Sequence, residues 1–538
     1  SFPPEQRSSA MITRSLFFLA AVLAARAATV APCKEGRVLI VGSGISGLVA
    51  AVSLRHHGCN VTILEALNRV GGRTHTFPQG SPFAQVEEGA HWVHGGIDNV
   101  PVSLLLRMYN ISQVRVGGDD DYEGSRQRLR LFQHASPLSA DQRDLSFDLF
   151  ETAVAAAEAR AEGGCSANLS VAQVWDEALE KVNYSDASKA LLAWHQKVSY
   201  EQDSGSSMSQ LSAQAEFVDD YTNFYPDRSD GWEKHGDGFV EGGYSALVRR
   251  LADGLDLRTS LPVARVDYST EGVVATVKSG ERFEGSALIV TASIGALQAE
   301  NIAFEPPLPA WKTKAIHRLG MGNVAKVLVK LAHEAAPLSD AYSVGFLGNG
   351  TLSYCIRGLA EGRGSVLECF LGGSEAIDAE GLDSDELKRV VNKELTPLVG
   401  QGNILDVGIT KWASNPYIRG AWSYAQVNSS VKDFDAVAAS IGQGRLLFAG
   451  EGACRLLYGN VHAAVVSGAR AARDILDKNI ASSTWPLFKK DFVELCTESP
   501  EMPRHKRWQR RVSRIRHSGE PLPSRSNNPL TQKYFAEQ

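Results

Sequence analysis

The stretch Arg37–Thr74, RVLIVGSGISGLVAAVSLRHHGCNVTILEALNRVGGRT, encodes in order a strand, a glycine turn, a helix, a second strand and an acidic strand end. Val38–Val41 is a short apolar run rich in β-branched residues, which suits a strand buried on both faces of a parallel sheet. Gly42, Ser43, Gly44 and Gly47 follow at once. Gly42 permits the tight turn, Gly44 removes a side chain where a pyrophosphate approaches the backbone, and Gly47 lets the next helix pack closely on the sheet. That helix, predicted over Ile45–His57, points the N–H groups of its first turn, around Ile45 and Ser46, at the pyrophosphate. A second strand, Val61–Leu64, ends at Glu65-Ala66, about 20 residues beyond the glycines, where a carboxylate takes both hydroxyls of an adenosine ribose. The pattern reads as a dinucleotide site. A glycine-rich turn in an ordinary α/β domain is the plainer alternative, and it requires no acid at that distance.

After Glu65 the chain continues Asn68–Thr74, NRVGGRT, with a second glycine pair ending at Gly72 and then Arg73, for which a nicotinamide-binding fold has no need. Here the sequence resembles the flavin-containing amine oxidases, and within them most resembles the polyamine oxidases: spermine oxidase, N1-acetylpolyamine oxidase and the plant enzymes. The resemblance runs from Arg37 to about Leu476. It is carried by EEGAHWVHG ending at Gly95, by Ser286–Trp311 (SALIVTASIGALQAENIAFEPPLPAW), by Met321–Lys330 (MGNVAKVLVK) and by Leu446–Gly468 (LLFAGEGACRLLYGNVHAAVVSG), in the family's order. It implies an α/β fold in which a Rossmann-type FAD-binding domain is interleaved with an α+β substrate domain. The expected division is 37–100, 235–309 and 411–480 for FAD, and 101–234 and 310–410 for substrate. The first insertion should form a helical cap, from Glu151–Glu162 and Val171–Val182. Short strands at Val263, Val266, Val273–Val277 and Leu288–Val290 should lie alongside the Rossmann sheet.

The same resemblance assigns roles. Gly72 and Arg73 meet the pyrophosphate, the arginine as a fixed charge. Val263 makes backbone contact on the adenine side, His91 and Trp92 lie under the flavin ring, and Trp412 packs on the isoalloxazine. Gly450 and Glu451 meet the ribityl or phosphate region, and Val461 approaches the pyrimidine edge. Lys326 holds a water against flavin N5, where a cation also favours electron transfer to oxygen. Read from its neighbours Ala325 and Val327, Lys326 has an apolar setting that costs energy unless the ammonium has a purpose or a lowered pKa. The rival reading is a solvated strand lysine like Lys330. His94 matches a histidine of the animal enzymes and a glutamate of the plant ones, and histidine can orient or deprotonate an incoming ammonium near neutral pH. A purely structural histidine is the alternative there.

Trp422 and Tyr424, in Arg419–Tyr424 (RGAWSY), should wall the substrate channel, since aromatic faces attract alkylammonium groups. Monoamine oxidases complete an aromatic cage with a second ring, but Asn460 occupies the aligned position here. Ala421 stands where those enzymes bond cysteine to the flavin, so FAD should be non-covalent.

At 538 residues the chain exceeds one compact core, and its 43% hydrophobic and 22% charged content is ordinary for a globular protein. Met11–Arg14, the apolar run Ser15–Ala25 and the small residues to Ala28 read as a leader and signal peptide over 1–28, implying secretion. Sequons at Asn110, Asn168, Asn183, Asn349 and Asn428 fit a glycoprotein, whereas Asn60 opens a strand and should be inaccessible. The seven cysteines show no CxxC or zinc-like spacing, so no metal is expected. Their odd number leaves at least one thiol over unless it pairs between chains, the sequence does not assign the bridges, and Cys59 and Cys369 also suit small buried hydrophobes. The net charge of −6 hides a basic tail in 481–538, where Arg504–Arg516 contains seven basic residues and no acid. That stretch offers a basic amphipathic helix for an anionic surface, or else a solvated tail.

The expected function is oxidation of spermine, spermidine or acetylated polyamines, with O2 becoming H2O2 and the imine hydrolysed to an aldehyde and a smaller amine. No nucleic-acid partner is expected, and oligomeric state is open. A secreted L-amino-acid oxidase is the alternative within the enzyme class, but it needs an arginine for the substrate carboxylate, and none is evident near EEGAHWVHG. A flavin-stabilised interaction module without turnover is the alternative outside it. A chromatin demethylase would suit the basic tail but not a signal peptide.

Overall fold

The computed structural model describes residues 36–94, 101–115, 127–180, 184–219, 238–339, 341–348, 350–357, 366–455, 457–476, 485–488 and 496. The chain divides into two compact units at Thr497, and every described residue belongs to the first. The expected leader, the sequons at Asn183 and Asn349, and the basic stretch after Pro503 lie outside the described residues.

Arg37–Val41 pairs in parallel with Asn60–Leu64 on one side and Ala287–Val290 on the other. Asp256–Arg258 and Leu446–Phe448 complete a five-stranded, all-parallel sheet. Alternation along the first strand sends Val38 and Ile40 into a core with the helices Ile45–His56, Tyr244–Ala252 and Val461–Ile475. Leu39 and Val41 enter a second core with a four-stranded sheet that includes Val263–Asp267 and Val273–Val277. Burial on both faces explains why this strand reads as a continuous apolar run. The helix Pro101–Met108, assigned by sequence to the substrate side, instead packs Val102, Leu105 and Leu106 into the first of these cores. Its apolar residues recur at helical spacing, a signal that gives no information about the partner surface.

The second large sheet has seven strands, in the order Ile404–Ile409, Val324–Leu331, Val366–Gly372, Tyr354–Arg357, Ser343–Leu347, Leu129–Gln133, Ser136–Pro137. The segment after Pro101 is therefore not purely a helical cap, because two of its strands join this sheet. Its helices Ala140–Glu162, Val171–Leu179 and Asp186–Gln196 begin at Ser139, Ser170 and Ser185, each accepting a hydrogen bond from a backbone N–H of the first turn. The third helix runs on into a widened turn, Lys197–Gln202, of the kind often found beside functional sites.

The sequence left the cysteine pairing open, and the structure assigns part of it. Cys369 is bonded to Cys355, directly opposite it on the neighbouring strand, Cys454 is bonded to Cys496, and Cys59 is also disulfide-bonded. Cys59 and Cys369, which also suited small buried hydrophobes, are thus both bonded, and for Cys369 the reason is adjacency across a sheet, which spacing does not encode.

Two of the helices over the parallel sheet approach unusually closely. Gly468 of Val461–Ile475 lies on the Ser46 carbonyl oxygen, which a Cβ would overlap, and Gly47 lies in the same way on the Gly42 carbonyl. Gly42 itself has φ +101°, a conformation that favours glycine. For Gly468→Ala, helix propensity favours the variant by about 1 kcal/mol. Forcing a methyl against a backbone oxygen costs about 1–3 kcal/mol, so the substitution should be net destabilising. Denaturant unfolding followed by circular dichroism checks this, and an unchanged or raised midpoint contradicts it.

Candidate functional site

A continuous cavity of about 750 Å³ runs from the glycine turn to the strand that carries Lys326. At one end it is lined by Gly42, Gly44, Ile45, Ser46, Glu65 and Ala66. The helix Ile45–His56 starts at Gly44 and the helix Val461–Ile475 starts at Asn460, both without a side-chain cap, and both starts line the cavity. An uncapped helix start leaves backbone N–H groups without intrahelical partners and carries roughly half a positive charge. The start at Gly44 makes this end an anion site, whereas the start at Asn460, whose first turn carries His462, faces the other end beside His94. A Cβ on Gly44 would meet nothing within 4 Å, so the backbone is open to a ligand there.

Glu65 is aimed by its own neighbours: Oε2 accepts from Ser43 N and Ser43 Oγ at 2.7 Å, and Oε1 from Leu67 N at 2.7 Å. Ser43 thus turns its N–H and hydroxyl to Glu65 and, like Gly47, which packs on the Gly42 carbonyl, is not in the cavity wall. Gly72, Arg73, Gly450 and Glu451 do line the cavity. Arg73, however, donates to Glu451 Oε1 at 2.8 Å and to the Ala421 carbonyl at 2.7 Å. Glu451 Oε2 accepts from the backbone N–H groups of Ser423 and Gly459. The pair ties three wall segments together, a role that neither residue's sequence context announced.

Val263, Trp412 and Val461 line the cavity, as do His91, Trp92, His94, Trp422, Tyr424 and Asn460. Trp412 is buried and donates from Nε1 to the Glu88 carbonyl at 3.3 Å. Its backbone is held by Glu380, which accepts hydrogen bonds from the N–H groups of Trp412, Ala413 and Ser414 and from Ser414 Oγ. Trp92 is stacked on Phe370, with ring centroids 5.8 Å apart. Tyr424 is buried, its hydroxyl accepting from Ser206 Oγ at 2.8 Å.

Lys326 is buried at the wall, but its surroundings are not apolar. Its ammonium donates to the Glu87 carbonyl at 2.8 Å and to Glu368 Oε2 at 3.3 Å. The same Glu368 oxygen meets His91 Nδ1 at 3.0 Å. Burial alone would raise the Glu368 pKa, yet His91 and Lys326 outweigh it and hold the carboxyl down at about 2. Lys330, four positions beyond on the same face of the strand, is only half-buried.

The far end presents an acid that sequence reasoning missed. Asp203 lines the cavity immediately after the widened turn, and its backbone carbonyl accepts from Trp422 Nε1 at 2.8 Å. Solvent reaches its side chain through the cavity, but the surrounding protein is dense enough for desolvation to raise its pKa, with His94 pulling it back. His462, in the first turn of Val461–Ile475, adds a second imidazole 6.5 Å from His94 between ring centroids. No sequence spacing links these residues, and only the cavity brings them together.

A helix start with free amides and an open backbone at Gly44, a buried acid at Glu65, an indole-lined far end and a second helix start at Asn460 facing that end fit FAD, with its pyrophosphate, ribose diol and flat ring. Known proteins agree. The sequence model of the family described as flavin containing amine oxidoreductase matches residues 45–476. Lysine-specific histone demethylase 1 homolog 2 of Oryza sativa subsp. japonica is 30% identical over 459 residues, covering 82% of this chain and 57% of that protein. Human lysine-specific histone demethylase 2 is 28% identical, covering 81% and 53% respectively. Probable polyamine oxidase 4 of Arabidopsis thaliana is 27% identical over 451 residues, covering 81% of this chain and 86% of that protein. The chain thus spans little more than half the length of the demethylases it matches. A putrescine oxidase solved with bound putrescine has the same fold, with a TM-score of 0.64 at 20% identity over 82% of this chain and 98% of that one. The chain belongs to the flavin containing amine oxidoreductase family.

Proposed function

We propose that this chain oxidises polyamines, with spermine, spermidine or their acetylated forms as substrates. The observation that carries this reading is the single cavity that joins the dinucleotide end to Lys326 and ends at Asp203, His94 and Trp422. Bound FAD supplies the acceptor for a hydride equivalent from the carbon beside the amine nitrogen and passes the electrons to O2, giving H2O2. The absence of a cysteine at Ala421 supports non-covalent binding. The chain's own part is to hold and orient. Trp422 and Tyr424 present aromatic faces to an alkylammonium. Asp203 supplies the counter-charge for one ammonium, and His94 takes the proton that must leave the reacting nitrogen.

The one arginine among the described cavity residues, Arg73, is committed to Glu451 and Ala421. That argues against a carboxylate clamp and hence against an amino-acid oxidase. A methylated lysine in a peptide is the second reading, favoured by the names of the two demethylase relatives.

Peroxide release with spermine, spermidine, acetylated polyamines, monoamines, amino acids and a methyl-lysine peptide separates these readings. Turnover of the peptide alone would replace the polyamine assignment. Asp203→Asn should raise KM for polyamines about 10- to 100-fold while changing kcat less, as expected for loss of a charged hydrogen bond. An unchanged KM removes Asp203 from recognition. Lys326→Met should retain the yellow cofactor but slow reoxidation by O2 about a hundredfold. Because it strips Glu368 of a buried partner, it should also cost about 3 kcal/mol of stability, most of it recovered in Lys326→Met/Glu368→Gln. Stopped-flow reoxidation and denaturant unfolding check the two effects separately.

We also propose that the chain is an exported glycoprotein. Its bonded cysteines support an oxidising compartment. The sequon residues Asn110, Asn168 and Asn428 are exposed; so is Asn60, contrary to expectation. Protein secreted from eukaryotic cells should lose mass when treated with a peptide-N-glycosidase, and an unchanged mass would count against export by this route.

A further inference from the structure

Behind the cavity wall lies an ion group that the proposed reaction uses only through Lys326. Glu368 is fully buried in the strand Val366–Gly372, between Leu367 and Cys369, where an apolar residue would complete the strand at no electrostatic cost. Its Oε2 receives both Lys326 and His91, while Oε1 has no hydrogen-bond partner among the described residues. An isolated carboxylate at this depth would neutralise itself by a pKa shift, and the cationic partners on Oε2 offset that cost. The ammonium has three protons. Glu87 O and Glu368 Oε2 take two, and the third has no partner among the described residues on a side chain that lines the cavity.

We infer that Glu368 is the positioning residue that keeps Lys326 charged and fixed at the cavity wall, so that reoxidation of the flavin stays independent of pH through the neutral range. This rests on the functional reading of Lys326 given above. The groups facing the pair are few. His91 comes from the segment before Trp92, and Phe370 places its ring 5.6 Å from the Lys326 ammonium. Glu87 offers only its backbone carbonyl, its carboxylate being taken by Thr76 Oγ1 and Tyr244 N. From the other flanking strand's end, Thr410 contributes an uncharged hydroxyl that accepts from Lys326 N at 2.9 Å.

In Glu368→Gln the buried ammonium loses its counter-ion, and desolvation lowers its pKa. The FAD-loaded protein, reduced with dithionite and mixed with O2 in a stopped-flow instrument, then discriminates. Wild type should give a rate that is flat through the neutral range. Glu368→Gln should match it at the acidic end and fall about tenfold per pH unit above a new ionisation. Glu368→Asp should restore the flat profile, and Lys326→Met/Glu368→Gln should reoxidise no more slowly than Lys326→Met alone.

A readout independent of turnover is the thermal midpoint against pH. The folded-state pKa of Glu368 is depressed to about 2, so its stabilisation is present above the unfolded carboxylate value and is lost as pH falls toward that figure. Glu368→Gln should lack that component of acid destabilisation. A neutral-range ionisation in the wild-type profile overturns the inference even if the variant cannot be folded, as does a Glu368→Gln profile merely scaled down at every pH. Protein that binds no flavin would instead overturn the functional reading.

Discussion

The close approach of two helices is the constraint on which this molecule depends. Gly468 seats one helix on the backbone of the other at Ser46, and Gly47 seats that second helix on the turn that precedes it. Their starts at Gly44 and Asn460 therefore open into one cavity without side chains capping them. Side chains at those glycines would meet the Ser46 and Gly42 carbonyls and push the helices off their seats, displacing two walls of the cavity. The parallel sheet beneath is buried on both faces and serves as the platform that keeps the two starts in register.

The second constraint is electrostatic. The opposite wall is a strand from the seven-stranded sheet, and its alternation turns Lys326 toward the cavity while Ala325 and Val327 enter the core with the helices Gly373–Gly381 and Ser384–Val399. A buried cation on such a strand needs a partner at the same depth. The neighbouring strand provides it at Glu368, and the segment that brings His91 completes the group. Positive potential is thus built into both walls of the cavity, by backbone dipoles at one side and by a paired ammonium at the other. Asp203 places a carboxyl group at the far end, where burial raises its pKa and His94 lowers it.

What could be read from sequence follows the range of the interactions. The turn from Gly42 to Gly47, the acid at Glu65 and the strand Val324–Leu331 are local patterns, and they appear in the structure within a residue or two of where the pattern places them. Lys326 was recognisable through its motif. Glu368, Asp203 and Glu380 were not, because each acts through a partner far away in the chain and sits in an unremarkable local context. The same holds for the Cys355–Cys369 bond and for the clamp of Arg73 on Glu451. Ser43 shows a motif residue acting indirectly, its N–H and hydroxyl both orienting Glu65.

The most direct test of a cavity walled by these two helix starts is equilibrium titration of flavin-stripped protein with FAD, followed by flavin fluorescence and the visible spectrum. The account predicts saturation at one FAD per chain, a perturbed visible band and quenched fluorescence from the indoles at Trp412 and Trp422. Folded protein that leaves added FAD fully fluorescent and its spectrum unchanged would contradict it.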